Sequence, residues 1–224
     1  QAPILNGDVD GADLGMDGTI RPVGTSRGSY ADRRLRAEAF VRDTLGGTMR
    51  VDGTLPMDLR LVSVEKRLLS DVVDGRLVAD SLQLGALALR LDGVRGLRGA
   101  LSGELALGGT FDAPSARGTM RLTGGAATLD ALGITPQDGE AVLRAAGDSL
   151  IIETLRLRSG GPRDTVGSVG GLRFPPKDSA LVDLRVTASN FVASRQRDGT
   201  DLDLSADARV RGKLLHPQVS GRVY

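Results

Sequence analysis

The chain of 224 residues carries 29 Lys and Arg against 28 Asp and Glu, a net charge of +1. It has no basic stripe to neutralise a phosphate backbone, so nucleic acid is not an expected partner. There is no Cys and only one His, which removes disulfide frameworks and the usual zinc ligand sets, and no apolar run approaches the ~18 residues of a membrane span.

The N-terminus, Gln1, carries no signal peptide, as expected of a processed chain or a segment of a longer one. Asp8, Asp10, Asp13 and Asp17 make an acidic stretch without the spacing or terminal Glu of an EF-hand. Leu55, Met57, Leu59 and Leu61 alternate as a strand does. Two segments, Val64 to Val73 and Ser81 to Leu91, are candidate short helices that would cover the end of a sheet. The second has Leu84, Leu87 and Leu91 on one face and Ser81 near the cap position.

Alternation then dominates. Leu101, Gly103, Leu105 and Leu107 form one run, followed by Met120 and Leu122. Leu150 and Ile152 lead into Leu155 and Leu157, where the parity slips by one, as a bulge or a short break near Thr154 would make it. Val182, Leu184, Val186 and Ala188 face away from Asp183, Arg185 and Thr187. The clearest run is Leu202, Leu204, Ala206, Ala208 and Val210, interleaved with Asp201, Asp203, Ser205, Asp207, Arg209 and Arg211. It predicts a half-buried strand roughly 30 Å long at ~3.4 Å per residue. Gly46-Gly47, Gly124-Gly125, Gly160-Gly161-Pro162, Gly170-Gly171 and Pro175-Pro176 read as punctuation between such strands. The expected fold is a long, repetitive, antiparallel β-sheet. Gly is 31 of 224 residues and aromatics only 3%, so its apolar face is one of Leu, Val and Ala.

One turn occurs twice at the same internal spacing. Gly109, Pro114 and Gly118 in the first copy match Gly212, Pro217 and Gly221 in the second, each reading Gly-x-apolar-x-x-Pro-x-x-x-Gly-x-apolar. The pattern describes a strand end, a turn fixed by Pro and a return strand opening at Gly. It divides the chain into two expected units, 1–108 and 109–224, the second continuing the sheet of the first, with a single elongated domain as the alternative.

The segment Gly109-Thr110-Phe111, Pro114, Gly118, Met120 resembles the recurring element of the TamB proteins, within the wider AsmA-like group. Its surroundings fit: the Leu-rich stretch Leu82 to Leu91 and Leu97-Arg98-Gly99 before it, then Thr123-Gly124-Gly125-Ala126, Leu132-Gly133-Ile134 and the second Pro/Gly turn after it. The resemblance is best from about Asp80 to Tyr224 and implies a middle-to-C-terminal segment of such a protein. It further implies a sheet curled lengthwise into an open, taco-like groove, apolar inside and polar outside. That groove would carry phospholipid acyl chains across the periplasm of a diderm bacterium. The full-length protein would be anchored in the inner membrane through an N-terminal segment and meet a TamA-like barrel protein at the outer membrane. Groove-lining residues on this expectation are Leu101, Leu105, Leu107, Met120, Leu122, Leu150, Ile152, Val182, Leu184, Val186, Leu202, Leu204, Ala206, Ala208 and Val210. A scaffold for insertion of outer-membrane barrels, acting through exposed sheet edges, and a repetitive structural or adhesin protein with a dry core remain alternatives. The same alternation also suits a sandwich whose apolar faces pack on each other.

No catalytic, metal or cofactor site is expected. His216 stands alone in a turn before Pro217, with no nucleophile-elbow sequence to complete a triad. The Gly-rich stretches lack the Lys-Ser/Thr ending of a phosphate loop, and Asp201 and Asp203 share a solvated strand face.

Overall fold

A computed structural model of the chain describes residues 4–7, 23–59, 67–87, 94–129, 135–158, 164–176, 179–195 and 201–224, without the side chains of 4–7, 87, 94, 129, 192–195 and 201–204. The strands are β1 (Ile4–Gly7), β2 (Val23–Ala31), β3 (Arg34–Arg42), β4 (Thr48–Pro56), β5 (Asp74–Gln83), β6 (Val94–Gly109), β7 (Pro114–Leu129), β8 (Gln137–Gly147), β9 (Ser149–Arg158), β10 (Thr165–Arg173), β11 (Leu181–Arg195), β12 (Asp201–Lys213) and β13 (His216–Val223). They form one 13-stranded sheet in strict chain order, every pair antiparallel, several of them closed by tight hairpins. At ~4.8 Å per strand the sheet runs roughly 60 Å along its strand order. β6 and β7, at 16 residues each, reach roughly 50 Å across it.

The sheet is open: β1 and β13 each have one paired side. Among the described residues each strand packs mainly against its sequence neighbours and no second sheet lies on either face; the 3-10 turn Leu84–Leu87 touches β6. The sandwich alternative therefore does not apply. In β2, β3 and the described part of β11, residues of the apolar face are nonetheless the less accessible ones. The sheet achieves this by curling towards its apolar side.

Glycines at defined points permit that curl. Gly118 has φ 135, and a Cβ there would lie 2.1 Å from the Glu104 carbonyl oxygen of the next strand. Gly221, its counterpart in the second turn, has φ 158 and would meet the Asp207 carbonyl oxygen at 2.3 Å. No L side chain fits either place.

The repeated turn belongs to a larger duplication: β5–β6–β7 recurs six strands later as β11–β12–β13. In both hairpins Gly pairs with Pro across the turn (Gly109 with Pro114, Gly212 with Pro217), and the second Gly pairs with Leu105 or Ala208. In both units the first strand bulges at the same place, between Ala79 and Leu82 and between Ala188 and Phe191. The bulge residues Ser81 (φ 53) and Asn190 (φ 45) are left-handed. Each donates its N–H to a serine on the facing strand, Ser102 Oγ at 2.9 Å and Ser205 Oγ at 3.1 Å. Even the diagonal ion pair recurs, Arg76 with Glu104 at 2.7 Å and Arg185 with Asp207 at 2.6 Å.

The parity slip near Thr154 is a bulge: Ile152 faces Gly170 but Leu155 faces Ser168, so Glu153 and Thr154 share one partner position. Four expectations need correction. The strand over Leu55 to Leu61 is instead β4, which ends at Pro56. Met57 makes an isolated bridge to Leu68, the Leu59 N–H goes to the Tyr30 hydroxyl, and Leu61 lies outside the described residues. The helix over Ser81 to Leu91 is strand as far as Gln83, then a 3-10 turn, Leu84–Leu87; residues 88–91 are outside the described ones. Ser81 serves the bulge rather than a helix cap, and Leu82 is fully buried, its strand already committed to the sheet. In Val64 to Val73 the described part, 67–73, is irregular apart from the Leu68 bridge. Finally, Gly124-Gly125 and Gly170-Gly171 lie inside β7 and β10, where Gly relieves crowding between strands rather than ending them.

Candidate functional site

Register settles which residues share a face, because paired residues of an antiparallel sheet point the same way. Leu105 stands between Leu77 and Gly118, and Leu107 between Gly75 and Ala116. Leu101 pairs with Leu122, and Leu122 with Ala141. Met120 pairs with Gly103 and Leu143, and Leu143 with Ile152. Leu150 stands between Ala145 and Leu172, and Leu172 pairs with Val182. Leu184 and Val186 pair with Val210 and Ala208, and Ala206 with Ala188. All these lie on one surface. Leu202 and Leu204 pair through their backbones with Ser194 and Phe191, but their side chains are outside those described.

The face also contains residues outside the expected groove lining. Leu35, Ala37, Ala39 and Val41 of β3 pair with Leu55, Gly53, Val51 and Met49 of β4. Ala79 and Leu82 of β5 and Ala141 and Ala145 of β8 are among its most buried members. The signal in β3 was legible, since its apolar residues alternate with Arg34, Arg36 and Glu38. In β8 the small residues muted it.

Among the described side chains in the regular register of β2 to β13, no Asp, Glu, Lys or Arg stands on this face. Its few polar side chains include Ser26, Tyr30 and Ser168. Ser168 Oγ is buried without a hydrogen-bond partner. The groove is not evenly covered. Leu82 is 0% exposed, Val182 5%, and Val219 and Val223 both 69%.

One clamp holds the covered end. Asp43, buried in the turn between β3 and β4, accepts the N–H groups of Leu45 at 2.8 Å and Gly47 at 2.9 Å on Oδ1, and that of Gln83 at 2.8 Å on Oδ2. It ties that turn to the end of β5, next to Leu82. Such multiple backbone donors offset the cost of burying a carboxylate.

The opposite face is charged and laced with cross-strand pairs. Arg144 bonds Glu153, Arg173 bonds Asp148 at 2.9 Å, and Asp183 holds both Arg209 at 2.9 Å and Arg211 at 3.2 Å. Hydrogen bonds from Arg173 to Asp148, Arg209 and Arg211 to Asp183, Arg185 to Asp207 and Arg76 to Glu104 hold these carboxyls below the usual carboxylate range. Arg42 and Arg50 lie over the Phe40 ring, at 5.9 and 5.8 Å, which explains an aromatic on this side. A hollow of about 700 Å³ between β8 and β11 is lined by Asp138, Glu140, Arg156 and Arg158 among others, a charge-balanced and open surface.

Among the described residues no group of three or more His, Cys, Asp or Glu gathers as metal ligands, and no helix is long and apolar enough to cross a membrane. No protein-family model, curated protein or solved structure matches the chain.

Proposed function

We propose that the chain is a lipid-carrying groove segment of a TamB/AsmA-like envelope protein, with no catalytic activity of its own. The observation that carries this is the uncharged face running through successive strands with no second sheet on it among the described residues. A dry, two-layered core, which a structural or adhesin role calls for, is not found there. Burying a methylene is worth ~0.8 kcal/mol relative to water, so a sixteen-carbon chain gains roughly 12 kcal/mol on entering from water. Relative to a bilayer the gain is near zero, because lipid tails are about as apolar as Leu. That balance suits a conduit: tails slide without a deep trap while headgroups stay in solvent along the open seam. The resemblance adds the setting, a periplasmic bridge with an inner-membrane anchor and a TamA-like partner in the full-length protein.

Native mass spectrometry of the purified chain, with uptake of a fluorescent phospholipid, tests this. Bound phospholipid is expected, and Ala208→Asp with Val210→Asp on the groove face should abolish uptake while the far-UV CD spectrum is kept. Ser220→Asp, on the charged face, should leave uptake intact. A wild-type chain that neither retains nor takes up lipid sinks the proposal.

A further inference from the structure

The connections that follow β2, β4, β6, β8, β10 and β12 all lie at the same end of the strands, because the sheet is antiparallel and in chain order. They form one rim of the sheet, and exposed apolar side chains recur along it. Val72 stands in the connection before β5, Phe111 in the β6–β7 turn, Phe174 just after β10, and Leu214 and Leu215 in the β12–β13 turn. Their exposure runs from 38% at Phe111 to 81% at Leu215. The β4–β5 connection and the β12–β13 turn lie eight strand spacings apart, roughly 40 Å along the sheet. We infer that this rim is a membrane-contact edge, whose turn tips dip into the interface of a phospholipid bilayer with zwitterionic headgroups.

Two observations select a bilayer as the occupant. The first is that neighbouring turns on this rim satisfy one another's backbone. Val73 donates its N–H to the Gly109 carbonyl, Phe174 to that of Asp148 and Leu214 to that of Ala180, all at 2.8 Å. Thr110 and Ala113 bond each other within the β6–β7 turn. An unpaired N–H is costly to bring into a membrane, and these donors need no water when the tips leave it. The second is that the carboxylates beside the tips already have partners. Asp71 meets Arg34 at 4.0 Å, Asp148 meets Arg173 at 2.9 Å, and Asp112 accepts from Ser70 Oγ at 3.5 Å. Such pairs give the tips no strong field of either sign, so the attraction is that of their apolar area. Tips spread along roughly 40 Å match a broad lipid surface rather than a single anchor filling a protein pocket. This inference does not depend on what the groove carries.

The chain has no Trp, so a single introduced one reports on its own position. Phe111→Trp, Phe174→Trp and Leu215→Trp are made one at a time in the whole chain and titrated with vesicles of phosphatidylcholine brominated on its acyl chains. At each tip the emission should shift to the blue and be quenched by bromine. Thr119→Trp, exposed on the charged face of β7, should do neither. Phe111→Ser combined with Leu215→Ser should lower vesicle co-sedimentation about tenfold with the far-UV CD spectrum kept, and added salt should leave wild-type binding unchanged. Ala208→Asp with Val210→Asp, which closes the groove to lipid, should keep the quenching at the tips. No shift at any tip, equal quenching at Thr119→Trp, binding lost in salt, or tip quenching lost in the groove variant would overturn the inference. So would a blue shift that rises with protein concentration in the absence of vesicles, which makes the occupant a second copy of this chain.

Discussion

The two copies of the three-stranded unit have the same skeleton and different fillings. In β5–β6–β7 the groove side is Leu-rich and contains Leu82 at 0% and Met120 at 6% exposure. In β11–β12–β13 it is mostly Ala and Val, and β13 lies open. Yet turn, bulge and register coincide residue for residue. Side-chain volume therefore does not set the register here. The Gly–Pro turn fixes where the hairpin closes, and the left-handed bulge residue bonded to a facing serine fixes where the strand resumes. Volume decides only how deeply the groove is filled, which leaves the lining free to vary along a common scaffold.

Perturbing matched positions sharpens the contrast. Gly118→Val forces a side chain into a left-handed site with a carbonyl oxygen at 2.1 Å and should cost about 3 kcal/mol or more in urea denaturation. Gly221→Val meets the same crowding on an edge strand that can fray, and should cost well under half as much. Equal losses would show that β13 is as integral to the fold as β7. Next, Leu82→Ala should cost about 3 kcal/mol, as a fully buried Leu does. Its counterpart Phe191→Ala should cost less despite the larger side chain, because Phe191 is only half-buried. A reversed order would mean that cover, not chain position, was misjudged.

The smallest effect is electrostatic. Asp207 and Glu104 are held below their ordinary pKa by Arg185 and Arg76. Their stabilising contribution is complete above the unfolded-state value of about 4 and is lost as pH falls through the lower folded-state value. Both pairs are solvent-exposed, so the loss should be slight and salt-sensitive. Thermal melts at pH 7 and pH 3, with Glu104→Gln and Asp207→Asn compared at both, should show each substitution mattering more at pH 7 than at pH 3 and to a similar small extent. Unequal effects would separate the two copies electrostatically.

Much of this architecture was legible in the residues. Period-two alternation from Leu101 to Val210 marked the strands and the groove face, the parity slip marked the bulge at Glu153 and Thr154, and Gly109/Pro114/Gly118 with its second copy marked the equivalent hairpins. These signals are local: one face is apolar or it is not, and Pro and Gly restrict the chain wherever they stand. The failures were local signals outweighed by long-range pairing. Ser81 has the composition of a helix cap, but its N–H is taken by Ser102 in the next strand. Leu55 to Leu61 alternate, but the ladder stops at Pro56.

Alternation says that a strand has one apolar side without saying what lies against it, so it could not choose between an open trough and a closed sandwich. That choice needed the sheet's order and the absence of a second sheet over the described residues. Nor could sequence spacing show that the duplicated unit spans three strands, because a serine and a left-handed residue on neighbouring strands become a motif only once the strands are paired.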